Sequence, residues 1–146
     1  MFTFAIDYFL FVFIACFGVI QIAASLGGLK GLLLLKNPLI ARAIGLIMAI
    51  LGFVWFFTSE DRNINDYEGG LDANVQALFF FFGGLTALTV TLVTSSLLNM
   101  RMNGAPPAPG EGLGALSRTS YIRGLIQNLR YWRREWRTQI KPYFFG

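Results

Sequence analysis

Histidine is absent from the 146-residue sequence, and cysteine occurs only once, as Cys16. The absence of imidazole removes the histidine ligands of haem and chlorophyll, most transition-metal sites and the commonest general base. A single cysteine excludes a disulfide bond within the chain. The sequence also has no zinc motif, no serine-hydrolase base and no pair of acids inside an apolar run. It therefore predicts a protein that is not an enzyme and that holds no cofactor.

Charged residues are scarce and unevenly distributed. They make up 14% of the chain, against roughly 25% in a typical soluble domain, whereas 55% of the residues are hydrophobic. Residues 60–72 contain five acids and one base, and residues 101–146 contain eight bases and two acids. Opposite charges at separate places in an apolar chain fit the two sides of a membrane better than a nucleic-acid-binding face. We therefore expect no nucleic-acid partner.

Three long apolar runs cover residues 2–26, 39–57 and 75–98. Each is close to the ~20 residues that an α-helix needs to cross the hydrocarbon core of a bilayer, and none alternates as a barrel strand does. The first run lacks the positively charged start of a secretory signal. The predicted fold is an all-α membrane protein, with a three-span domain over residues 1–100 that includes an acidic loop over residues 58–74.

The positions of the bases predict which way the helices run. Lys30, Lys36 and Arg42 lie in or beside the first connection, and Arg101 follows the third run. The connection between the second and third runs is acidic. The positive-inside rule places the basic segments in the cytoplasm. We therefore expect a multi-pass protein of the cell (inner or plasma) membrane, with an extracytoplasmic N-terminus and a cytoplasmic C-terminus.

The segment after the third run has two parts. Residues 101–116 are rich in proline and glycine, which predicts an extended linker. Residues 117–146 form a basic cytoplasmic tail, in which we expect a helix that begins with Ser117 as its N-cap and ends at Lys141, before Pro142. At about 100° per residue, the apolar side chains of this helix share one face and most of its arginines lie beside that face.

This amphipathic pattern is typical of an interfacial helix, which lies in the membrane surface with its bases near lipid phosphates. The alternative is a protein groove that receives the same apolar face. The residues predicted to contact the membrane surface or its lipids are Arg123, Arg130, Trp132, Arg134, Trp136 and Arg137.

The acidic loop partly matches a calcium-binding EF-hand loop. Oxygen-bearing side chains stand at alternate positions, as calcium coordination in a tight loop requires. The match is incomplete, because Asp66 replaces the glycine of the sharp turn and the last ligand is an aspartate instead of a bidentate glutamate. A solvated acidic turn, with Asp72 capping the third helix, is the alternative. The candidate ligands are Asp61, Asn63, Asn65 and Asp72.

Small residues recur every three or four positions in the second and third runs, which favours close helix packing. Hydroxyl residues of the third run can bond to their own helix or line a pore, and packing is the preferred interpretation. We expect Asp7 to stay hydrated, Gln21 to contact another helix, and the phenylalanines to face lipid or helices in preference to a pigment or quinone. The residues predicted to pack are Gly45, Ala49, Gly52, Gly83, Gly84 and Ala87.

These features predict a non-catalytic accessory or scaffolding subunit of a larger multisubunit membrane complex, with an energy-transducing complex as one candidate. Its partners would be membrane lipids and other membrane-protein subunits. The alternative is a chain that associates with itself, either to organise the bilayer or to form a pore.

Overall fold

The computed structural model describes residues 4–58, 73–102, 104 and 111–139. No strand occurs in these ranges. Of the four α-helices in the described part of the chain, the first three are each long and apolar enough to cross a membrane, and the fourth follows them. The predicted all-helical membrane fold is therefore confirmed. The elements are α1 (Phe4–Leu26), the 3₁₀ helix η1 (Lys30–Leu32), α2 (Pro38–Thr58), α3 (Ala73–Leu98), the 3₁₀ helix η2 (Gly112–Ser117) and α4 (Tyr121–Gln139).

A glycine cap ends α1. Gly28 has a φ of +65°, a left-handed conformation that residues with a Cβ atom rarely adopt. The Leu29 N–H donates to Ala24 O at 2.9 Å and the Gly28 N–H donates to Ser25 O at 3.4 Å, which is the hydrogen-bond pattern of a Schellman cap. The side chain of Leu29 then packs against an apolar cluster that includes Ala24. The cap therefore turns the chain out of the helix and back against its last turn.

Asn37 caps the start of α2. Its Oδ1 accepts hydrogen bonds from the Leu39 N–H at 2.9 Å and from the Ile40 N–H at 3.4 Å, two donors of the kind that lack partners in a first turn. Pro38 is the first helical residue, a position where a missing N–H removes no helix bond. Pro38 thus adds one residue to the start of the run predicted over residues 39–57, and Asn37 is its cap.

The three long helices form a row with α1 in the middle. Both α2 and α3 pack against α1, whereas in the described part of the chain α2 and α3 scarcely touch each other. Accordingly, α1 is the most buried of the three and α3 the least. The row leaves two broad outer faces, on which the large apolar side chains of α2 and α3 are exposed.

One end of the row, which we call the base, consists of residues 27–37, 99–102 and 112–120 with the adjoining helix ends. Here η1 contacts η2, and α4 starts beside the end of α3. The base contains a compact apolar cluster, so its loops are packed parts of the fold. The buried members of this cluster are Ala24, Leu32, Leu33, Ala41 and Leu116.

The C-terminal part differs from the sequence prediction at two places. Ser117 does not begin the last helix: it ends η2, its Oγ donates to Gly114 O at 2.8 Å, and α4 begins only at Tyr121. Residues 112–116, predicted as linker, form most of η2, and Leu116 is buried. Both differences have one cause, because η2 packs against η1, a contact between segments far apart in the sequence.

Candidate functional site

Glycine allows α1 and α2 to approach each other closely. A Cβ atom on Gly45 would lie 2.6 Å from Gly18 O, so the helix backbones leave no room for a side chain. A Cβ atom on Gly18 would overlap Gly45 O and lie 3.1 Å from Ala49 N. Gly52 is less confined, since its Cβ atom would lie 3.4 Å from Ile14 Cγ2. This kind of backbone approach is how small residues stabilise helix pairs in a membrane.

Gly83 makes the corresponding contact between α1 and α3. A Cβ atom on Gly83 would lie 2.9 Å from Val12 Cγ1. Gly84 has more space, because its Cβ atom would meet Cys16 Sγ at 3.8 Å, an ordinary contact distance. Ala87, one turn further along α3, is completely buried. The two neighbouring glycines of α3 therefore differ in how tightly they are held.

Hydroxyl side chains occupy the most deeply buried positions. Thr91 Oγ1 donates to Ala87 O at 2.7 Å, and Ser95 Oγ donates to Leu92 O at 3.4 Å. These bonds confirm that hydroxyls of the third run bond to their own helix, which satisfies them without water. In the described part of the chain, the largest fully buried side chains are Thr91, Ser95, Ser96, Thr119 and Ser120.

Aromatic rings join α1 and α2 at the end of the row opposite the base. Phe11 stacks on Phe56 with ring centroids 4.7 Å apart and meets Phe53 edge-on, also at 4.7 Å. Tyr8 meets Phe56 edge-on at 5.9 Å. These are favourable geometries for aromatic pairs. The phenylalanines of α1 and α2 thus contact neighbouring helices, whereas Phe81 of α3 is exposed.

The acidic residues do not form a metal site in the described part of the chain, where no group of three or more His, Cys, Asp or Glu side chains is placed to hold an ion. Asp7 is only 6% exposed and interacts with another group, so the expectation that it stays hydrated is wrong. The calcium candidates lie outside the described residues, and that prediction stays a prediction. These candidates are Asp61, Asn63, Asn65 and Asp72.

Gln21 joins α1 to the loop that follows it. The Gln21 Nε2 donates to Leu32 O at 3.3 Å, and its Oε1 accepts from the Leu34 N–H at 3.1 Å. A Cβ atom on Gly45 of α2 would lie 3.3 Å from Gln21 Cβ, so the predicted contact with another helix is confirmed, while both ends of the buried amide bind the backbone that follows α1. Asn99 holds the same loop from α3, since its Nδ2 donates to Leu33 O at 2.8 Å. Backbone groups without helical partners are satisfied here by side chains, as burial requires.

The start of α4 is fixed to the end of α3 by two hydrogen bonds. Ser96 Oγ accepts from the Ile122 N–H at 3.1 Å, and Arg123 Nη1 donates to Met102 O at 2.8 Å. The Ser96 hydroxyl therefore bonds to another helix instead of to its own helix. Arg123, predicted as a lipid contact, therefore uses one of its N–H groups for a bond within the protein.

The base is also held by a close backbone contact at Gly31. A Cβ atom on Gly31 would overlap Thr119 O and would lie 2.9 Å from Leu116 O. Two buried polar atoms close to helix ends, Thr119 Oγ1 and Arg42 Nε, have no hydrogen-bond partner among the described residues. The base is thus tightly packed, and most but not all of its buried polar groups have hydrogen-bond partners among the described residues.

The apolar face of α4 is uncovered by the described residues beyond the first turn. Leu129, Trp132 and Trp136 are 60%, 67% and 64% exposed. Burying a side chain of this kind fully stabilises by about 1.5–3 kcal/mol, so the face is suited to a lipid or protein surface. The neighbouring predicted contacts Arg130 and Arg134 are exposed as well. Arg137 lies in α4, but its side chain is outside the described part of the structure.

Comparison of the chain with protein-family models, curated proteins and solved structures gives no match. The arrangement of the helices therefore carries the functional proposal. It offers two apolar outer faces on a row of helices and a basic amphipathic helix whose start is fixed to the base. Such surfaces can bind lipids or other membrane helices.

Sequence reasoning missed the polar residues of the base. Gln21 stood out as a polar residue in an apolar run, but its partners are backbone atoms and carry no sequence signal. Gly31 lies between Lys30 and Leu32 without a recognisable motif. The usable signal in the sequence was a glutamine inside an apolar run that is soon followed by a glycine-containing loop.

Proposed function

We propose that this chain is a non-catalytic accessory or scaffolding subunit of a larger multisubunit membrane complex. The observation that carries the proposal is the open row of helices, in which α2 and α3 both pack on α1 and scarcely touch each other within the described residues. A closed bundle would cover more of each helix. The open row leaves one long side of α2 and one of α3 for neighbouring subunits or lipid.

The distribution of side chains supports this role. The deeply buried positions hold small and hydroxyl side chains, whereas large apolar residues such as Leu46, Ile50 and Phe81 are more than half exposed. In a bilayer, both lipid and partner helices can cover such residues without a penalty. The chain would thus add helical surface to a complex, and its partners would supply any cofactor chemistry.

We further propose that the base faces the cytoplasm of a cell (inner or plasma) membrane and that the N-terminus is extracytoplasmic. Lys30, Lys36 and Arg101 are exposed at the base, and Arg118 lies in the same region. Bases near helix ends favour the cytoplasmic side. On this side α4 meets the anionic leaflet, where each base contributes about 1 kcal/mol of attraction.

The accessory role is tested by purifying the tagged protein from its native membrane in a mild detergent and measuring its native mass. We expect a fixed set of larger partner chains at constant stoichiometry. A homo-oligomer without other chains would contradict the accessory role. It would favour the alternative, a self-associating protein that organises the bilayer or forms a pore.

The position of α4 is tested separately in nanodiscs, with the full-length protein and Trp55→Phe as background. Tail tryptophan fluorescence should be quenched by lipids that carry a quencher near the headgroup. Trp132→Ala with Trp136→Ala should raise the protease sensitivity of the tail, because the two largest apolar anchors are removed. Tail tryptophans that are quenched only by water-soluble agents would contradict an interfacial α4.

A further inference from the structure

A cleft of about 500 Å³ lies between the end of α3 and the first turns of α4. Its walls include Leu97 and Met100 on one side and Ile122 and Ile126 on the other. All four side chains are exposed to some degree and are not covered by other described residues. The volume lies within the range of about 300–1,000 Å³ that is typical of small-molecule sites, and an apolar chain would fit such walls.

The rim of the cleft is polar and positive. Arg123 and Arg130 line it, and no acidic side chain is among the described lining residues. Arg123 is positioned by its bond to Met102 O at 2.8 Å, so its charge is fixed beside the cleft. Arg130 is exposed. Arginine is well suited to phosphate because its planar group donates two parallel hydrogen bonds.

Gln127 gives a second, independent indication of a polar ligand. This residue lines the cleft, and its Oε1 is buried without a hydrogen-bond partner among the described residues. A buried acceptor without a donor is unfavourable. A hydroxyl group of a ligand would satisfy it once the side chain turns its amide toward the cleft, whereas an ammonium group would be disfavoured by the two neighbouring arginines.

The height of the cleft matches the level of lipid headgroups. α3 has 26 residues and is therefore about 39 Å long, which exceeds the ~30 Å hydrocarbon core of a bilayer. At least one end of α3 therefore reaches the polar interface, and the exposed Lys30, Lys36 and Arg101 beside its last turn assign the base end to that level. A ligand in the cleft would have its apolar part along α3 and its headgroup beside Arg130.

We propose that the cleft between α3 and α4 binds one anionic phospholipid with a hydroxyl-bearing headgroup, of the phosphatidylglycerol kind. The phosphate pairs with Arg130 and Arg123, a headgroup hydroxyl donates to Gln127 Oε1, and an acyl chain lies against Leu97 and Ile126. This inference rests on the proposed position of α4 at the membrane surface. It does not depend on whether the chain is an accessory subunit.

Native mass spectrometry of the full-length, delipidated protein tests the site with lipids of identical acyl chains. The probes are phosphatidylglycerol, phosphatidylmethanol (the same charge without hydroxyls) and phosphatidylcholine. We expect one tightly retained phosphatidylglycerol per chain, weaker binding of phosphatidylmethanol and weakest binding of phosphatidylcholine. Equal retention of all three lipids would overturn the proposal.

Matched charge variants separate the cleft from general surface attraction. Arg130→Gln should lower phosphatidylglycerol affinity about tenfold, the effect of losing one hydrogen bond to a charged group. Arg133→Gln removes the same charge from an exposed residue of α4 that does not line the cleft, and should change affinity much less. Equal losses in the two variants would overturn the proposal, since they would show attraction to α4 as a whole.

Two further variants test the hydroxyl contact and the walls. Gln127→Leu should abolish the preference for phosphatidylglycerol over phosphatidylmethanol while anionic lipid still binds. Ile126→Trp should block the cleft and displace the lipid from a protein of unchanged helix content. A preference that persists in Gln127→Leu, or a partner-protein segment crosslinked at residue 126 in the native complex, would contradict the lipid assignment.

The outcomes also distinguish this proposal from those made above. If α4 lies in the interface but the protein retains no lipid selectively, only the proposed lipid site in the cleft is overturned. If the tail tryptophans are exposed to water, the proposed position of α4 and the proposed lipid site are both overturned. Selective lipid binding by a chain that purifies without partners would support the cleft and contradict the accessory role.

Discussion

The α1–α2 contact and the base hold one molecule together by different means. At the α1–α2 contact, Gly18 and Gly45 bring two regular helices together backbone to backbone. At the base, side chains such as Gln21 and Asn99 bind the backbone of a loop. The difference follows from backbone chemistry. Helices satisfy their own N–H and C=O groups and need only close packing, whereas a buried loop needs polar side chains as partners.

The largest effect is expected at the α1–α2 contact. Gly45→Ala places a Cβ atom 2.6 Å from Gly18 O, and since backbone cannot move aside, α1 and α2 must separate. We expect the free energy of unfolding, measured by detergent titration in mixed micelles, to fall by about 3 kcal/mol, at the upper end of overpacking effects. Gly84→Ala is the matched control and should be neutral, because its Cβ atom meets only Cys16 Sγ at 3.8 Å. Equal effects would refute the close-contact explanation.

A slightly smaller and more local effect is expected at Gly31. Gly31→Ala places a Cβ atom against Thr119 O and 2.9 Å from Leu116 O, and should destabilise by about 2 kcal/mol. Amide hydrogen exchange should accelerate in residues 112–120 and change little in α1 and α2. Gly114→Ala serves as the control, since its Cβ atom would lie 3.6 Å from Glu111 Cγ. Exchange that accelerates equally along the whole chain would show that the two regions unfold as one unit.

Gln21→Leu tests whether the loop depends on side-chain hydrogen bonds. It leaves Leu32 O and the Leu34 N–H without their partner, and we expect a loss of about 2 kcal/mol of stability. The Leu34 amide should become unprotected in hydrogen exchange. Gln76→Leu removes a similar but exposed amide from α3 and should leave stability unchanged. A Leu34 amide that stays protected would contradict the role assigned to Gln21.

The smallest effect is expected at Ser96. Ser96→Ala removes the acceptor of the Ile122 N–H, a single hydrogen bond that contributes about 1 kcal/mol. The first turn of α4 should fray, as seen in faster exchange of the Ile122 amide. Ser117→Ala removes an exposed hydroxyl bond and should have almost no effect. If both serine variants behave alike, the contact between α3 and α4 does not depend on this bond.

The sequence predicted one of these two regions far better than the other. The helices, and the small residues that pack between them, were predictable because apolar length and glycine spacing are local properties. The base was not predictable, because Asn99 bonds to Leu33 across 66 positions and η2 packs on η1 through backbone contacts at Gly31. Ser117 was misassigned as a helix cap for the same reason.

For the candidate site, the sequence predicted the composition of α4 but not its surroundings. The apolar face and its flanking arginines followed from helical periodicity. The cleft did not, because Leu97 and Met100 of its wall belong to another helix. Arg123 shows the limit most directly: the sequence indicated a lipid-binding base, and the structure adds a hydrogen bond to Met102 O that holds this base beside the cleft.

The bonds of Gln21 have a consequence for biogenesis. α1 leaves the ribosome before the helices that later flank it, so its polar residues can enter the membrane before those helices have emerged. The two backbone partners of Gln21 lie only 11 and 13 residues further along the chain. The amide can therefore be satisfied as soon as the first loop leaves the ribosome, before α2 has emerged. Asn99, which directly follows α3, bonds to the same loop. This bond can form only after α3 has been synthesised and has packed beside the loop.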